Sequence, residues 1–446
     1  MEEKMKVNFD KVINQIKPMH GVGQPPVLGI STEMFHYLEE AHIPYSRLHD
    51  VGGWFGGNMF VDVPNVFRDF NADENDPASY DFAFTDIIIN DLIKSGCEPV
   101  YRLGVTIENF HHIRAYRIFP PADFEKWARI CEHIIRHYNE GWANGFHFNI
   151  KYWEIWNEPD GHVDIAHNSM WKGTMEQYFD LYRVTSQHLR ACFGDSIKIG
   201  GYGSCGFYVA RDMQDVTGEA FGINGVLTDW QKRITHFIKF FDAFISFVKS
   251  ENLPFDFFSH HSYASVEGNK LMQAYCEKAL EKAGFGDVEI HLNEWNTNPN
   301  ERERGTSKAC ADSVANMCAQ QNTKMNMMCY YDARVGVSVY GGLFNPLTCK
   351  PFCTYYGFKA FGELYALKNQ VECLEDQKGI YAIAATDGST DAVLISNLGD
   401  DTQISTNLDG FDVYLVDEQH FLEKIEMNSL NIEIKKYQVM LIKKAR

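Results

Sequence analysis

Tyr152-Trp153-Glu154-Ile155-Trp156-Asn157-Glu158-Pro159-Asp160 is an apolar run that stops abruptly at Asn-Glu-Pro. Read as a strand, its period of two sends Trp153 and Ile155 to one face and Tyr152, Glu154 and Trp156 to the other. Pro159 cannot continue a central ladder, so Glu158 is predicted at the strand's C-terminal lip. A second segment, Val288-Glu289-Ile290-His291-Leu292-Asn293-Glu294-Trp295-Asn296, has the same form: a short strand, then Asn-Glu, then an aromatic. The two glutamates are 136 residues apart, room for three further strand-helix units.

Outward from these segments, from about Val27 to Leu367, short apolar runs bounded by Gly, Pro or Asn alternate with stretches of helical period. Candidate strands are Tyr45–Leu48, Pro99–Leu103, Tyr152–Trp156, Ile197–Gly200, Phe255–Ser259, Glu289–Leu292 and Met325–Tyr330, with a first near Met19–Val22. Amphipathic stretches between them include Phe84–Ser95, Asp123–Tyr138, Met175–Cys192, Ile234–Lys249, Leu271–Ala283 and Lys308–Gln320, and a last helix lies near Tyr356–Leu367. Eight strands alternating with helices predict an α/β chain folded as a (β/α)8 TIM barrel over residues 18–370. Beyond it, short alternating runs such as Tyr381–Ala385, Ala392–Ser396, Val413–Val416 and Val439–Lys443 are separated by the turns Asp387-Gly388 and Asp409-Gly410. They predict a small C-terminal antiparallel β-sandwich over residues 371–446, with residues 1–17 as candidates to complete its edge. No low-complexity linker intervenes, so rigid packing on the barrel is expected.

Counted along this pattern, Glu158 ends the fourth strand and Glu294 the seventh. Those strands face each other across a barrel mouth, where such enzymes build their sites. Glycoside hydrolysis needs one carboxyl to protonate the departing oxygen while another attacks the anomeric carbon or activates water. Either glutamate alone reads equally well as a solvated strand-end residue or an ion-pair partner. The pair together, with its Asn, Pro and Trp neighbours, favours the chemistry.

The barrel resembles clan A of the glycoside hydrolases, whose acid/base follows Asn in an Asn-Glu-Pro motif after the fourth strand. Within that clan the chain is most similar to family 39, the β-xylosidases and α-L-iduronidases. His20-Gly21-Val22-Gly23 resembles that family's first strand end, Arg47-Leu48-His49-Asp50 its second, and Trp153 to Asp160 its fourth. The likeness covers roughly residues 18–365. It implies a retaining mechanism with Glu158 as acid/base and Glu294 as nucleophile, carboxyls about 5–5.5 Å apart. It implies further that Asn157 bonds the sugar's 2-hydroxyl, and that Tyr263 donates to the nucleophile with His261 beside the substrate. Tyr263 read as a core aromatic with its hydroxyl at the rim is the alternative.

His49 is a candidate sugar contact or a satisfied core histidine. Arg47 and Arg102 are expected to pair with carboxylates inside the barrel. Trp54, Trp156 and Trp295 are candidate platforms for sugar C–H faces, Trp295 foremost because it follows the nucleophile. Tyr330-Tyr331-Asp332-Ala333-Arg334 ends the eighth strand without the Trp many clan members carry. Asp332 is a candidate for holding sugar hydroxyls; Arg334 either pairs with it or meets a substrate carboxylate, and the pair is favoured.

A chain of 446 residues, 45% hydrophobic and 14% aromatic, has material for a large core. Its formal charge of −19 would repel phosphate backbones, so nucleic acid and anionic membranes are excluded as expected partners. Residues 1–18 lack a signal-like apolar core, and no run of about 18 apolar residues reads as a span. The odd number of cysteines, 11, is scattered and suits reduced thiols in the cytoplasm. Gly201-Tyr202-Gly203-Ser204-Cys205-Gly206 fits a dinucleotide pattern but opens no amphipathic helix, and His133 and His137 lack the glutamate of a zinc protease motif. No cofactor or metal is therefore expected. The sequence reads as a retaining hydrolase removing a terminal, β-xyloside-like sugar from short oligosaccharides by double displacement. Alternatives are another glycoside (uronide, arabinopyranoside, galactoside or glucoside), transglycosylation, or a non-catalytic sugar-binding barrel; a homo-oligomer is compatible with all of them.

Overall fold

Strands that are hydrophobic on both faces have to be covered on both, and closing the sheet removes its edges altogether. In the computed structural model, which describes residues 5–28, 31–51, 60–107, 117–206, 229–297, 301–335 and 340–446, eight parallel strands do so. They are β2 (Gly21–Gly23), β3 (Tyr45–Leu48), β4 (Glu98–Leu103), β5 (Tyr152–Ile155), β6 (Lys198–Ser204), β7 (Phe257–Ser262), β8 (Glu289–Trp295) and β9 (Met325–Tyr331), joined in that order into a closed barrel. Helices follow the strands: α1 (His36–Glu40), α2 (Ala83–Lys94), α3 (Phe124–Glu140), α4 (Met175–Phe193), α5 (Asp229–Ser250), α6 (Val266–Ala283), α7 (Ser307–Gln321) and α8 (Cys353–Leu367). The (β/α)8 architecture is thus as the alternation predicts.

Local chemistry fixes the helix ends. Asp123 accepts from the Lys126 amide at the start of α3, which stops at Gly141 with φ +75°, a value that favours glycine. Thr174 and Gln177 form a reciprocal capping box on α4.

Inside the barrel the period of two produces layers. Tyr45, Val100, Tyr152, Phe257, Met327 and Cys329 make an apolar plug. Two residues further along β3, β5 and β7 stand Arg47, Glu154 and Ser259, and Asn293 of β8 joins them in a buried polar layer. The plug closes the lower barrel, so the polar layer forms the floor of whatever opens above.

The remaining strands build the second unit. β1 (Met5–Gln15), β10 (Asn369–Glu375), β11 (Ile380–Thr386), β12 (Thr390–Asn397), β14 (Asp412–Val416), β15 (Phe421–Ile425) and β17 (Val439–Ala445) form one antiparallel sheet in the order β1-β10-β11-β12-β17-β14-β15. β13 (Thr402–Ser405) pairs with β16 (Asn431–Ile434) as a small second layer. β1 lies at the sheet edge, antiparallel to β10. Alternation divides β12 cleanly: Val393 and Ile395 enter the core between the two layers, whereas Ala392 and Leu394 join the barrel's core. Ser396 Oγ donates to the Ala311 carbonyl of α7, 2.8 Å away, tying the units together.

Candidate active site

Arg47 links the members of the polar floor. Arg47 is 1% exposed; its Nε donates to Glu154 Oε2 at 2.8 Å, Nη1 approaches Glu294 Oε2 at 3.4 Å, and Nη2 bonds Asn157 Oδ1. Glu154 also accepts from Ser259 Oγ at 2.6 Å and Asn293 Nδ2 at 2.5 Å. Burial alone would raise the Glu154 carboxyl, but Arg47 and these donors outweigh it and hold it below the usual range. The floor therefore carries a fixed, fully partnered anion under the mouth.

Above it the two strand-end glutamates meet. One carboxylate oxygen of Glu158, one of Glu294 and a ring nitrogen of His261 all lie within 4.8 Å of one another. His261 Nδ1 is 2.7 Å from Glu158 Oε1 and 3.5 Å from Glu294 Oε2. Tyr263 Oη donates to Glu294 Oε1 at 2.5 Å. Burial pushes Glu158 up to about 7, against the pull of Arg47. It pushes Glu294 to about 6, moderated by His261, Arg47 and the Tyr263 hydroxyl. Burial also lowers His261 to about 4, so the imidazole between the carboxylates is neutral near pH 7.

The turn that presents Glu158 is built against local preference. Trp156 has φ +70° and Glu158 φ +44°, left-handed values that each cost on the order of 1 kcal/mol for a residue with a Cβ. The Glu158 amide donates to the Gly203 carbonyl at 3.0 Å, which holds the turn against the end of β6. Gly203 itself has φ +60°, and a Cβ there would stand 3.1 Å from Arg47 Nη2 and 3.2 Å from Asn157 Oδ1.

A paired, buried, unlike-environment carboxylate couple at the C-terminal mouth of a barrel is the constellation of glycoside hydrolysis. The model of the glycosyl hydrolases family 39 matches residues 34–299, more than half the sequence. The chain belongs to that family. As a family 39 glycoside hydrolase it has a curated relative in a β-xylosidase of Caldicellulosiruptor saccharolyticus, 26% identical over 277 residues, 59% of this chain and 48% of the relative. The chain thus spans about half the length of that relative. Among solved structures, a glucosidase from Croceicoccus marinus superposes with a TM-score of 0.78 at 19% identity, covering 100% of this chain and 99% of the other. A family 39 β-xylosidase from Caulobacter crescentus gives 0.69 at 16% identity, covering 99% of both.

The structure gathers Glu158, Glu294, Asn157, His49, His261 and Tyr263 around one mouth. His49 Nε2 lies 3.5 Å from Asn157 Nδ2 and 3.9 Å from Glu294 Oε2, and burial lowers its pKa, leaving it neutral. Three expectations are corrected. Trp295 is fully buried on the helix side of β8, edge-on to Tyr330 and stacked on Phe358 of α8, so it offers no face to a sugar. Trp156 does not share a face with Glu154; its positive φ breaks the alternation and turns the indole outward between Trp127 and Trp171. Asp332 is fully buried and bonded to Arg334 Nη2 at 2.8 Å, which removes it from reach of sugar hydroxyls. Trp54 lies outside the described residues.

The sequence pattern assigns Glu154 no role beyond a face shared with Tyr152; the structure sets it in register with Arg102. Arg102 itself pairs with Asp62, at 2.7 Å, as the expectation of ion pairing inside the barrel has it. Gln24 Nε2 donates to Tyr331 Oη at 2.7 Å, and that hydroxyl to Asp50 Oδ2 at 3.2 Å, forming a further wall that no motif marks. No helix of the described residues is long and apolar enough to cross a membrane.

Proposed function

We propose that this family 39 hydrolase is a retaining glycosidase that removes a terminal, β-xyloside-like sugar from short oligosaccharides by double displacement. The observation that carries the reading is the closeness of the Glu158 and Glu294 carboxylates, within 4.8 Å oxygen to oxygen, with Tyr263 donating to Glu294 alone. Such spacing suits direct attack and leaves no room for the intervening water an inverting enzyme needs.

Glu294, ionised and held by Tyr263, attacks the anomeric carbon as Glu158 gives its proton to the departing oxygen; a glycosyl ester forms and the aglycone leaves as an alcohol. Glu158, now a carboxylate, takes a proton from water, which attacks the same carbon and frees Glu294. Asn157, its amide oriented by Arg47, is the group for the sugar's 2-hydroxyl. The β-xyloside preference is supported by the Caldicellulosiruptor saccharolyticus relative, and the pairing of Arg334 with Asp332 argues against a uronide.

A panel of p-nitrophenyl glycosides in both anomers identifies the sugar; cleavage of none would overturn the catalytic reading. The roles are tested by azide. Glu158→Ala should be rescued by added azide to a glycosyl azide of the substrate's own configuration, because azide needs no base. Glu294→Ala should yield, if rescued, the inverted azide. The opposite pairing of products would exchange the two roles.

A further inference from the structure

A second donor cluster lies outside the mouth, between α3 and α4. His188 and Cys192 are four residues apart on α4, which places both side chains on one face. Glu132 of α3 reaches the same spot: its Oε2 is 2.6 Å from His188 Nε2, and Cys192 Sγ is 3.7 Å from that nitrogen. All three donor atoms lie within 4.8 Å of one another. The other Glu132 oxygen is held by Arg136 Nε at 2.7 Å, which turns Oε2 toward the histidine. The side chains of His188 and Glu132 are 25% and 14% exposed, partly desolvated yet open to an ion from solvent.

We propose that Glu132, His188 and Cys192 form a site for a divalent transition metal of the zinc class, a clamp between α3 and α4 separate from the catalytic carboxylates. One thiolate, one imidazole nitrogen and one carboxylate oxygen, with a water as fourth ligand, make a tetrahedral set such ions accept. Tetrahedral ligation sets sulfur and nitrogen about 3.5 Å apart, close to the spacing present. Carboxylate oxygen and nitrogen would part to roughly 3.4 Å, a shift of under about 1 Å for a glutamate side chain. On binding, the Cys192 thiol proton passes to solvent and the imidazole proton moves to Nδ1, leaving Nε2 for the metal. The site sits in the last two turns of α4, whose chain runs back from the catalytic mouth, so turnover does not depend on it.

Cobalt(II) titrated into the chelator-treated full chain tests the site. A near-ultraviolet thiolate-to-cobalt band is expected at one equivalent. Cys192→Ser should abolish it, and His188→Ala should weaken cobalt binding at least about tenfold, with glycosidase activity retained in both as the check on folding. Should His188→Ala unfold, Glu132→Gln carries the same expectation. Inhibition of turnover reports separately on metal caught by Glu158, His261 and Glu294. No band in the parent protein, a band that survives Cys192→Ser, or affinity unchanged in both His188→Ala and Glu132→Gln would overturn the site.

Discussion

Glu158 and Glu294 share a residue type and differ in what touches them. Desolvation raises both, and His261, Arg47 and the Tyr263 hydroxyl leave Glu294 at about 6 while Glu158 stays near 7. The pair is coupled, so the two values belong to its macroscopic steps. The proposed double displacement requires Glu294 ionised and Glu158 protonated, so kcat/KM should fall below about pH 6 and again above about pH 7, a narrow bell. With an activated leaving group, Glu158→Gln should abolish the alkaline limb of the first step; a limb unchanged in that variant would place the acid elsewhere. Tyr263→Phe removes a donor that favours the Glu294 anion, so the acidic limb should move to higher pH. Losing a hydrogen bond to a charged group should lower kcat/KM roughly ten- to hundredfold, read from initial rates.

At the scale of elements, the site depends on strands that stop differently. β5 ends at Ile155 and enters a turn with two positive-φ residues, whereas β6 runs on through Ser204 to brace that turn. Gly203 is the point of contact. Gly203→Ala would combine a left-handed φ with crowding of Arg47, Asn157 and His261 at 3.1–3.3 Å. We expect a stability loss of about 1–2 kcal/mol by denaturant titration, with a fall in kcat larger than that loss explains, because the crowded groups are those that aim the carboxylates. A variant with unchanged kcat would show the turn is braced from elsewhere. The same element explains why sequence patterning misplaces Trp156: a period of two holds while φ stays extended, and one positive-φ residue reverses the face.

At the scale of the whole molecule, the large antiparallel sheet is two-faced, and one face is part of the barrel's own core. Leu394, fully buried there among the barrel helices, is a sensitive position. Leu394→Ala should cost about 2–5 kcal/mol through lost transfer energy and the cavity left behind. Because the core is shared, calorimetry should show barrel and sheet melting in one transition, shifted down together. Two separated transitions would mean the units fold independently.

The sequence by itself determined the alternation that makes a barrel, the antiparallel unit after it, and the two strand-end glutamates, because periodicity and chain-stopping residues are local properties. It also carried the partnership of Arg47 and Arg102 with interior carboxylates, since a buried guanidinium needs an anion whichever one it is. Only the tertiary structure decided which anion each one takes: Asp62 for Arg102, and for Arg47 Glu154, with Ser259 and Asn293 brought from β7 and β8 to satisfy it. It alone moved Trp295 and Asp332 away from the mouth, because the face a side chain takes at a strand end depends on where the neighbouring strand and helix stop. And it alone brought Glu132 of α3 against His188 and Cys192 of α4, since a pairing between helices leaves no period in either one.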